Sequence, residues 1–343
     1  MENYRGKAAE LSYISKLVGQ DELYVQAGGG NTSVKLDDKL MLVKASGFQL
    51  TEVTETSGYS VADYSIIAEH MASGTLDDSR EQEILAASLA DGLRPSIETF
   101  LHSITRTYTI HTHPLGVTIY ASKKNGMEEL KQMFPQSLTV GYATPGVRLA
   151  RLCYDAVSSS PDAQVIFLAN HGLIVSADTA EEALSLHREI TKKIDSSLGL
   201  DTMAADTGEA VFRALQGLQR GCIAYRVETK AVCEILKKRS AAWRYAFSPD
   251  CVVYCGNGLA ELETDYANEL RIHREKYGEI KAVIANGYCF AVAENVKKAR
   301  DIACMLDFTE RLALSGAELT ELTQQEKNFL LNWDSEKYRA SMK

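Results

Sequence analysis

The chain has 343 residues, 45% of them apolar and 24% charged, enough to bury one large or two ordinary hydrophobic cores. Its net charge of −9 argues against a nucleic-acid partner, which needs a basic face, while leaving room for a local basic pocket that takes a small anion. No apolar run approaches a membrane span, M-E-N-Y-R-G-K carries no apolar signal region, and seven scattered cysteines fit a reducing compartment better than a disulfide framework, so the expected location is cytoplasmic and no membrane partner is expected.

In chain order, residues 7–18 place Leu11, Ile14 and Leu17/Val18 at helical spacing, and Gly19 ends the run. In Y-V-Q-A-G-G-G-N-T-S-V-K-L the glycines Gly28, Gly29 and Gly30 break one strand and Asn31-Thr32-Ser33 starts another. A glycine-rich turn lets a ligand approach backbone N–H groups. A plain hairpin loop reads the same way, and the stretch is neither G-x-G-x-x-G nor a P-loop. M-L-V-K-A-S-G reads as a strand ending at Ser46-Gly47, with Lys44 and Ser46 on one face. Residues 61–72 and 80–91 read as helices. Pro95 or Ser96 then opens a further helix striped by Ile97, Leu101 and Ile104. Glu98 falls in its first turn, where the helix dipole favours a carboxylate, and His102 follows four residues later.

That helix leads into T-Y-T-I-H-T-H-P, which reads as a strand placing His111 and His113 on one face. An H-x-H pair alone is ordinarily just two polar residues on a strand. A third histidine, His171, stands at the bend of the hairpin V-I-F-L-A-N-H-G-L-I-V-S-A. Three neutral nitrogen donors with no obvious fourth protein ligand describe a catalytic metal site with an open position. Zinc is the default occupant, with manganese, iron or cobalt as substitutes. V-G-Y-A-T-P-G-V-R-L-A-R-L reads as a turn and a helix, and Asp178-Thr179-Ala180-Glu181 as a capping box opening a helix to about residue 197.

The polar segment 198–209 reads as a boundary between a metal-binding domain, 1–200, and a second domain, 210–343. The second domain opens with two helices, and F-S-P-D-C-V-V-Y-C-G then reads as a strand with Cys251 and Cys255 as buried thiols. K-A-V-I-A-N-G-Y-C-F-A-V-A-E-N-V-K-K-A-R aligns without gaps on V-I-F-L-A-N-H-G-L-I-V-S-A-D-T-A-E-E-A-L, setting Asn286 on Asn170 and Gly287 on His171. This is read as a degenerate second copy without the metal ligand. The tail L-T-Q-Q-E-K-N-F-L-L-N-W-D-S-E-K-Y-R reads as a polar helix.

In this order and spacing, G-G-G-N-T-S-V-K, V-K-A-S-G, R-P-S-I-E-T-F-L-H, I-H-T-H-P and A-N-H-G-L-I-V resemble the class II aldolase/adducin family over roughly residues 7–200. Y-G-E-I-K-A-V-I-A-N-G-Y-C-F-A-V-A and N-W-D-S-E-K-Y-R carry a looser resemblance to the aldolase portion of the long, bifunctional rhamnulose-1-phosphate aldolases, and no strand followed by G-x-G-x-x-G marks a dehydrogenase. The resemblance implies an α/β fold: three α/β/α layers around a central, mainly antiparallel sheet, plus the smaller second α/β domain. It implies His111, His113 and His171 as zinc ligands, Glu98 as catalytic acid/base, and Asn31, Ser46, Gly47 and Ser96 around a substrate phosphate. Ile97 departs from the pattern, standing where a second serine is common, and Lys44 or Lys35 is the candidate replacement. The implied reaction is retro-aldol cleavage of a sugar phosphate to dihydroxyacetone phosphate and an aldehyde. The same metal site also serves epimerisation, dehydration or decarboxylation in relatives, and epimerase relatives tend to carry aspartate at the place of Glu98. A non-catalytic, adducin-like interaction module is the remaining alternative, disfavoured because all three histidines are present. The resemblance also implies a homo-oligomer, a tetramer, in which Tyr120 or Tyr142 assists from a neighbouring subunit. Burial would raise the Glu98 pKa and a cation would lower it.

Overall fold

In the computed structural model, which describes residues 4–238 and 246–332, the chain divides into two units between Thr202 and Met203. The first unit begins with α1 (Arg5–Gly19), β1 (Asn31–Lys35), β2 (Leu40–Lys44), β3 (Tyr59–Asp63), α2 (Tyr64–Ala72) and α3 (Glu81–Ala87). It continues through β4 (Leu89–Gly92), α4 (Thr99–Ser103), β5 (Tyr108–Thr112), α5 (Leu115–Ser122), α6 (Gly126–Met133) and β6 (Leu138–Val140). It closes with α7 (Val147–Ser159), β7 (Val165–Leu168), β8 (Gly172–Ala177) and α8 (Ala180–Ser197). The sheet order is β4-β3-β2-β1-β5-β8-β7-β6, and every neighbouring pair is antiparallel except β6–β7.

Strand alternation sets the layers. Ile166, Leu168 and Ile174 turn to one face and pack with Ile67, Phe100, Leu101 and Leu149 of α2, α4 and α7. Val165, Phe167, Leu173 and Val175 turn to the other and pack with Val117, Leu130, Ile190 and Ile194 of α5, α6 and α8. Both faces of the sheet are therefore buried beneath helices, the α/β/α arrangement.

Four local expectations differ, the first being that α4 opens at Thr99 and not at Pro95 or Ser96, so that Glu98 is its N-cap and lies before its first turn. Residues 20–30 form turns rather than a strand, with Ala27 and Gly30 in the left-handed region at φ 50° and 69°. Val61-Ala62-Asp63 belong to β3, because pairing with β2 buries Val61 and Ala62, and Asp63 then caps α2 through its carboxylate to the Ser65 N–H. Residues 89–91 leave the helix to form edge strand β4.

The second unit contains α9 (Thr202–Gln216), β9 (Ile223–Arg226), α10 (Lys230–Lys238), α11 (Pro249–Cys255) and β10 (Ala260–Leu262). After these come α12 (Tyr266–Tyr277), β11 (Ala282–Ala285), β12 (Tyr288–Ala293), α13 (Val296–Ala313) and α14 (Gln324–Asn332). Most of the segment expected as a polar boundary is helix α9: Thr207, Gly208, Val211, Phe212 and Leu215 fall on one buried face despite the polar residues between them. Cys251 and Cys255 lie on a helix, not a strand. Ser248 caps α11 by accepting from the Cys251 N–H at 3.3 Å, Pro249 occupies the first turn, and the buried set Cys251, Val252, Cys255 follows helical spacing. The tail helix is seen as α14; residues 333–339 of that expectation lie outside the described residues.

The smaller sheet, β10-β11-β12-β9, has the order and strand directions of β6-β7-β8-β5: β10 runs parallel to β11, and the other pairs are antiparallel. β8 and β12 each have 6 residues, and α8 and α13 each have 18. Asn170 and Asn286 occupy the bends at φ 53° and 50°. One detail departs from a gapless alignment. Leu168 pairs with Gly172 in the first hairpin, but Ala285 with Tyr288 in the second, so the second turn is a residue shorter. Counting from the matched β8 and β12, the His111–Ile174 pair corresponds to Arg226–Phe290. Continuing along the strand, His113 corresponds to Glu228. An ion pair, Arg226 Nη2 to Glu228 Oε1 at 2.6 Å, stands where the first unit has two imidazoles.

Candidate metal centre

β5 carries His111 opposite Asn31 of β1 on one side and Ile174 of β8 on the other, which turns it to the α4 face. His113 follows one residue past the strand, its N–H bonded to the Tyr24 carbonyl at 3.0 Å. His171 follows Asn170 in the β7–β8 turn and donates its N–H to the Leu168 carbonyl at 3.1 Å. The three imidazoles converge. His111 Nε2 is 3.1 Å from His113 Nε2 and 3.3 Å from His171 Nε2.

These separations suit a metal. Two nitrogens bound to one tetrahedral zinc stand about 3.3 Å apart. His111 Nδ1 lies 3.0 Å from the Leu173 carbonyl, a partner that can only accept, so the proton sits on Nδ1 and the Nε2 lone pair faces the cluster. Burial, first of all, pushes His111 and His113 down to about 3 and also lowers His171, so all three are the neutral donors that coordination requires. The backbone is cut close around them: Gly29 faces His113 Nδ1, and Gly172 lies against the Thr112 carbonyl and the His113 ring.

Glu98 is the N-cap residue of α4, and its Oε2 stands 3.9 Å from His111 Nε2. That oxygen is buried and has no hydrogen-bond partner among the described residues. Burial raises the Glu98 carboxyl, against the downward pull of His171 and then Lys44. Among the protein's own groups, burial therefore outweighs the neighbouring His171 and Lys44. Both amide atoms of Asn31 are buried and unpartnered among the described residues. The loops bearing Ser46, Gly47 and Ser96 are joined by an Ala45–Pro95 bridge and by the Ser46 N–H to the Arg94 carbonyl at 3.0 Å. Ser46 and Gly47 are exposed, and Ser96 lies two residues from Glu98.

The lysines separate. Lys35 Nζ is held by the Ser103 carbonyl at 3.2 Å and by the Thr105 carbonyl, over the Tyr64 ring. Lys44 is buried, donates to the Phe48 carbonyl at 2.8 Å, and feels Glu98 as its largest charged neighbour. Ile97 packs against the apolar layer of α2 and α7. Tyr120 bonds Ser197 through its hydroxyl at 3.1 Å, and Tyr142 is exposed. Two buried contacts were missed. His102 Nδ1 meets Ser33 Oγ at 2.7 Å, and Thr112 Oγ1 meets His187 Nε2 at 2.8 Å, which braces the strand between His111 and His113 against α8. No local pattern signalled either, since their partners lie 69 and 75 residues apart in the chain.

The model of the class II aldolase and adducin N-terminal domain matches residues 9–194. The uncharacterized oxidoreductase YuxG of Bacillus subtilis (strain 168) is 29% identical over 184 residues, covering 50% of this chain and 27% of that protein. The match thus spans about a quarter of the curated relative's length. The N-terminal class II aldolase domain of a conserved protein from Thermoplasma acidophilum has a TM-score of 0.50 at 24% identity, covering 55% of this chain and 92% of that one. The L-fuculose-1-phosphate aldolase of Thermus thermophilus has a TM-score of 0.39 at 15% identity, covering 57% and 95%. Among the described residues no helix is long and apolar enough to cross a membrane.

Proposed function

The chain belongs to the class II aldolase and adducin family, and from that premise we propose that His111, His113 and His171 hold one divalent ion, by default zinc, in an enzyme that cleaves a ketose phosphate to dihydroxyacetone phosphate and an aldehyde. The observation that carries this reading is the unpartnered Glu98 carboxylate oxygen, 3.9 Å from the nitrogen cluster. Bound there, the ion supplies Lewis-acid stabilisation of the charge that develops on the substrate's carbonyl oxygen, worth several kcal/mol. The neutral imidazoles leave its positive charge undiminished.

The protein's own residues supply the rest. Breaking the carbon–carbon bond leaves an enediolate that must gain a proton on carbon. Glu98, its carboxyl raised by burial, is placed to deliver that proton and to remove it in the reverse direction, a role worth on the order of 10²–10⁴ in rate. The Asn31 amide, Ser46, the Gly47 N–H and Ser96 offer donors to the phosphate. Lys44 supplies a cation in place of the second hydroxyl that Ile97, partly buried against the core, lacks. The partner is a small sugar phosphate, and the unit assembles as a homo-oligomer.

The test is metal content together with dihydroxyacetone phosphate release from a panel of ketose 1-phosphates, on wild type and Glu98→Gln. The expected result is about one ion per chain in both proteins, with release lost in the variant by on the order of 10²–10⁴. Bound metal without release from any sugar turns the assignment to epimerisation, dehydration or decarboxylation at the same site. Protein that binds no metal, even when zinc is added, overturns it.

A further inference from the structure

A second cluster of reactive side chains lies in the smaller unit. Cys251 and Cys255 are one turn apart on α11, and their thiols hydrogen-bond one another. The Thr309 hydroxyl on α13 donates to Cys251 Sγ at 3.3 Å. Both sulfurs line a cavity of about 20 Å³, room for one small oxygen species, together with Thr309, Glu310 and Lys327. Glu310 is only 2% exposed, and its Oε2 has no hydrogen-bond partner among the described residues.

We propose that Cys251 and Cys255 form a reversible redox pair, in which a hydroperoxide oxidises Cys251 and Cys255 then closes a disulfide at the end of α11. The division of labour follows from the contacts. The Cys255 thiol, with help from Thr309, brings Cys251 down to about 7, while the same contact and burial push Cys255 well up. Cys251 is therefore the attacking thiolate and Cys255 the protonated partner. The Cys251 sulfur attacks one peroxide oxygen, the O–O bond breaks, and the leaving oxide takes a proton from the Glu310 carboxyl, which burial holds up at about 7. The Cys255 sulfur then attacks the sulfenic sulfur, the S–O bond breaks, and the departing hydroxide takes the Cys255 proton and leaves as water, while Glu310 regains from solvent the proton that Cys251 gave up on becoming a thiolate. Two thiols lose two electrons and the hydroperoxide becomes an alcohol and water.

Residues four apart on a helix have Cα atoms about 6 Å apart, inside the range a disulfide bridges, but their Cβ atoms are about 5–6 Å apart, more than it allows. The last turn of α11 must open. Cys255 is its last residue, followed by Gly256 at φ 75° and Gly258 at φ 126°, where the chain can absorb the shift.

The experiment exposes the full-length protein to graded hydrogen peroxide and maps its peptides without reduction. The expected result is loss of two hydrogens in the peptide holding Cys251 and Cys255, reversed by dithiothreitol, at peroxide levels that leave the exposed Cys304 a thiol. Cys255→Ser should stop at a sulfenic acid on Cys251 that a 1,3-dione captures. If the pair persists as two free thiols after Cys304 is fully oxidised, or if Cys251 runs on to sulfinic acid in wild type, the proposal is wrong. The wild-type map decides this even if the variant folds poorly.

Discussion

At Gly172 a Cβ would lie 2.4 Å from the Thr112 carbonyl oxygen and 2.9 Å from the His113 ring. The oxygen belongs to a paired strand and cannot retreat, so the ring must. Gly172→Ala is expected to cost about 1–3 kcal/mol of stability and to weaken metal binding; thermal melting and a chelator competition read the two effects separately. His187 carries a pH effect. It is buried and neutral, held down at about 4 against about 6.5 in the unfolded chain. Between those values the unfolded state binds more protons, so this contribution is fully present above about pH 6.5 and is lost as pH falls towards 4, by about 3 kcal/mol. His187→Gln keeps a polar group facing Thr112 without the titration. The difference in melting temperature between wild type and this variant should therefore shrink or reverse as pH falls from about 7 to about 4.5. A difference independent of pH would refute the assignment. Among the site residues, His111 and His113 were legible from their alternate places on one strand, and His171 and Glu98 took their roles from the family resemblance. The surroundings of Lys44 and Lys35 were not legible, since they depend on which carbonyls fold back over each amine.

Among the elements, α8 bears His187, and its N-terminus is held by Thr179 Oγ1, which accepts from the Glu182 N–H at 3.2 Å. Thr179→Ala should cost about 1 kcal/mol by denaturant titration while leaving metal stoichiometry unchanged. The same caps explain which elements could be read from the chain. α1, the hairpin β7–β8 and α8 announce themselves through apolar periodicity with clear end signals. The stretch 61–63 looked helical because Val61 and Ala62 precede a real helix, and only pairing with β2 shows them to be strand. α11 was misread in the opposite sense. Its β-branched C-V-V-Y-C favours a strand, but Ser248 and Pro249 start a helix, and the short apolar cluster with Met305 and Leu330 buries one helical face.

For the whole molecule, the smaller sheet repeats the strand order of half of the larger one but not its chemistry. Only the first unit brings three metal-type ligands together among the described residues. In the second, Arg226 and Glu228 neutralise one another at the corresponding places. Metal titration should therefore saturate at one ion per chain: His111→Ala should abolish it, and Arg226→Ala should leave it unchanged. A second equivalent in wild type would contradict this reading. Binding should also raise the melting temperature, since an ion held only by the folded state at about a hundred times its dissociation constant adds about 2.7 kcal/mol.

By itself the sequence determined the family, through five motifs in order and spacing, and the resemblance then implied the three histidines, the glutamate beside them and the layered sheet. Tertiary structure decided what distant segments do to one another. It showed that burial outweighs His171 and Lys44 at Glu98, that Ile97 packs against the core, that His187 braces Thr112 between His111 and His113, and that the second hairpin is a residue short. Each of these depends on desolvation or register, properties of contacts between residues far apart in the chain, which no local pattern records.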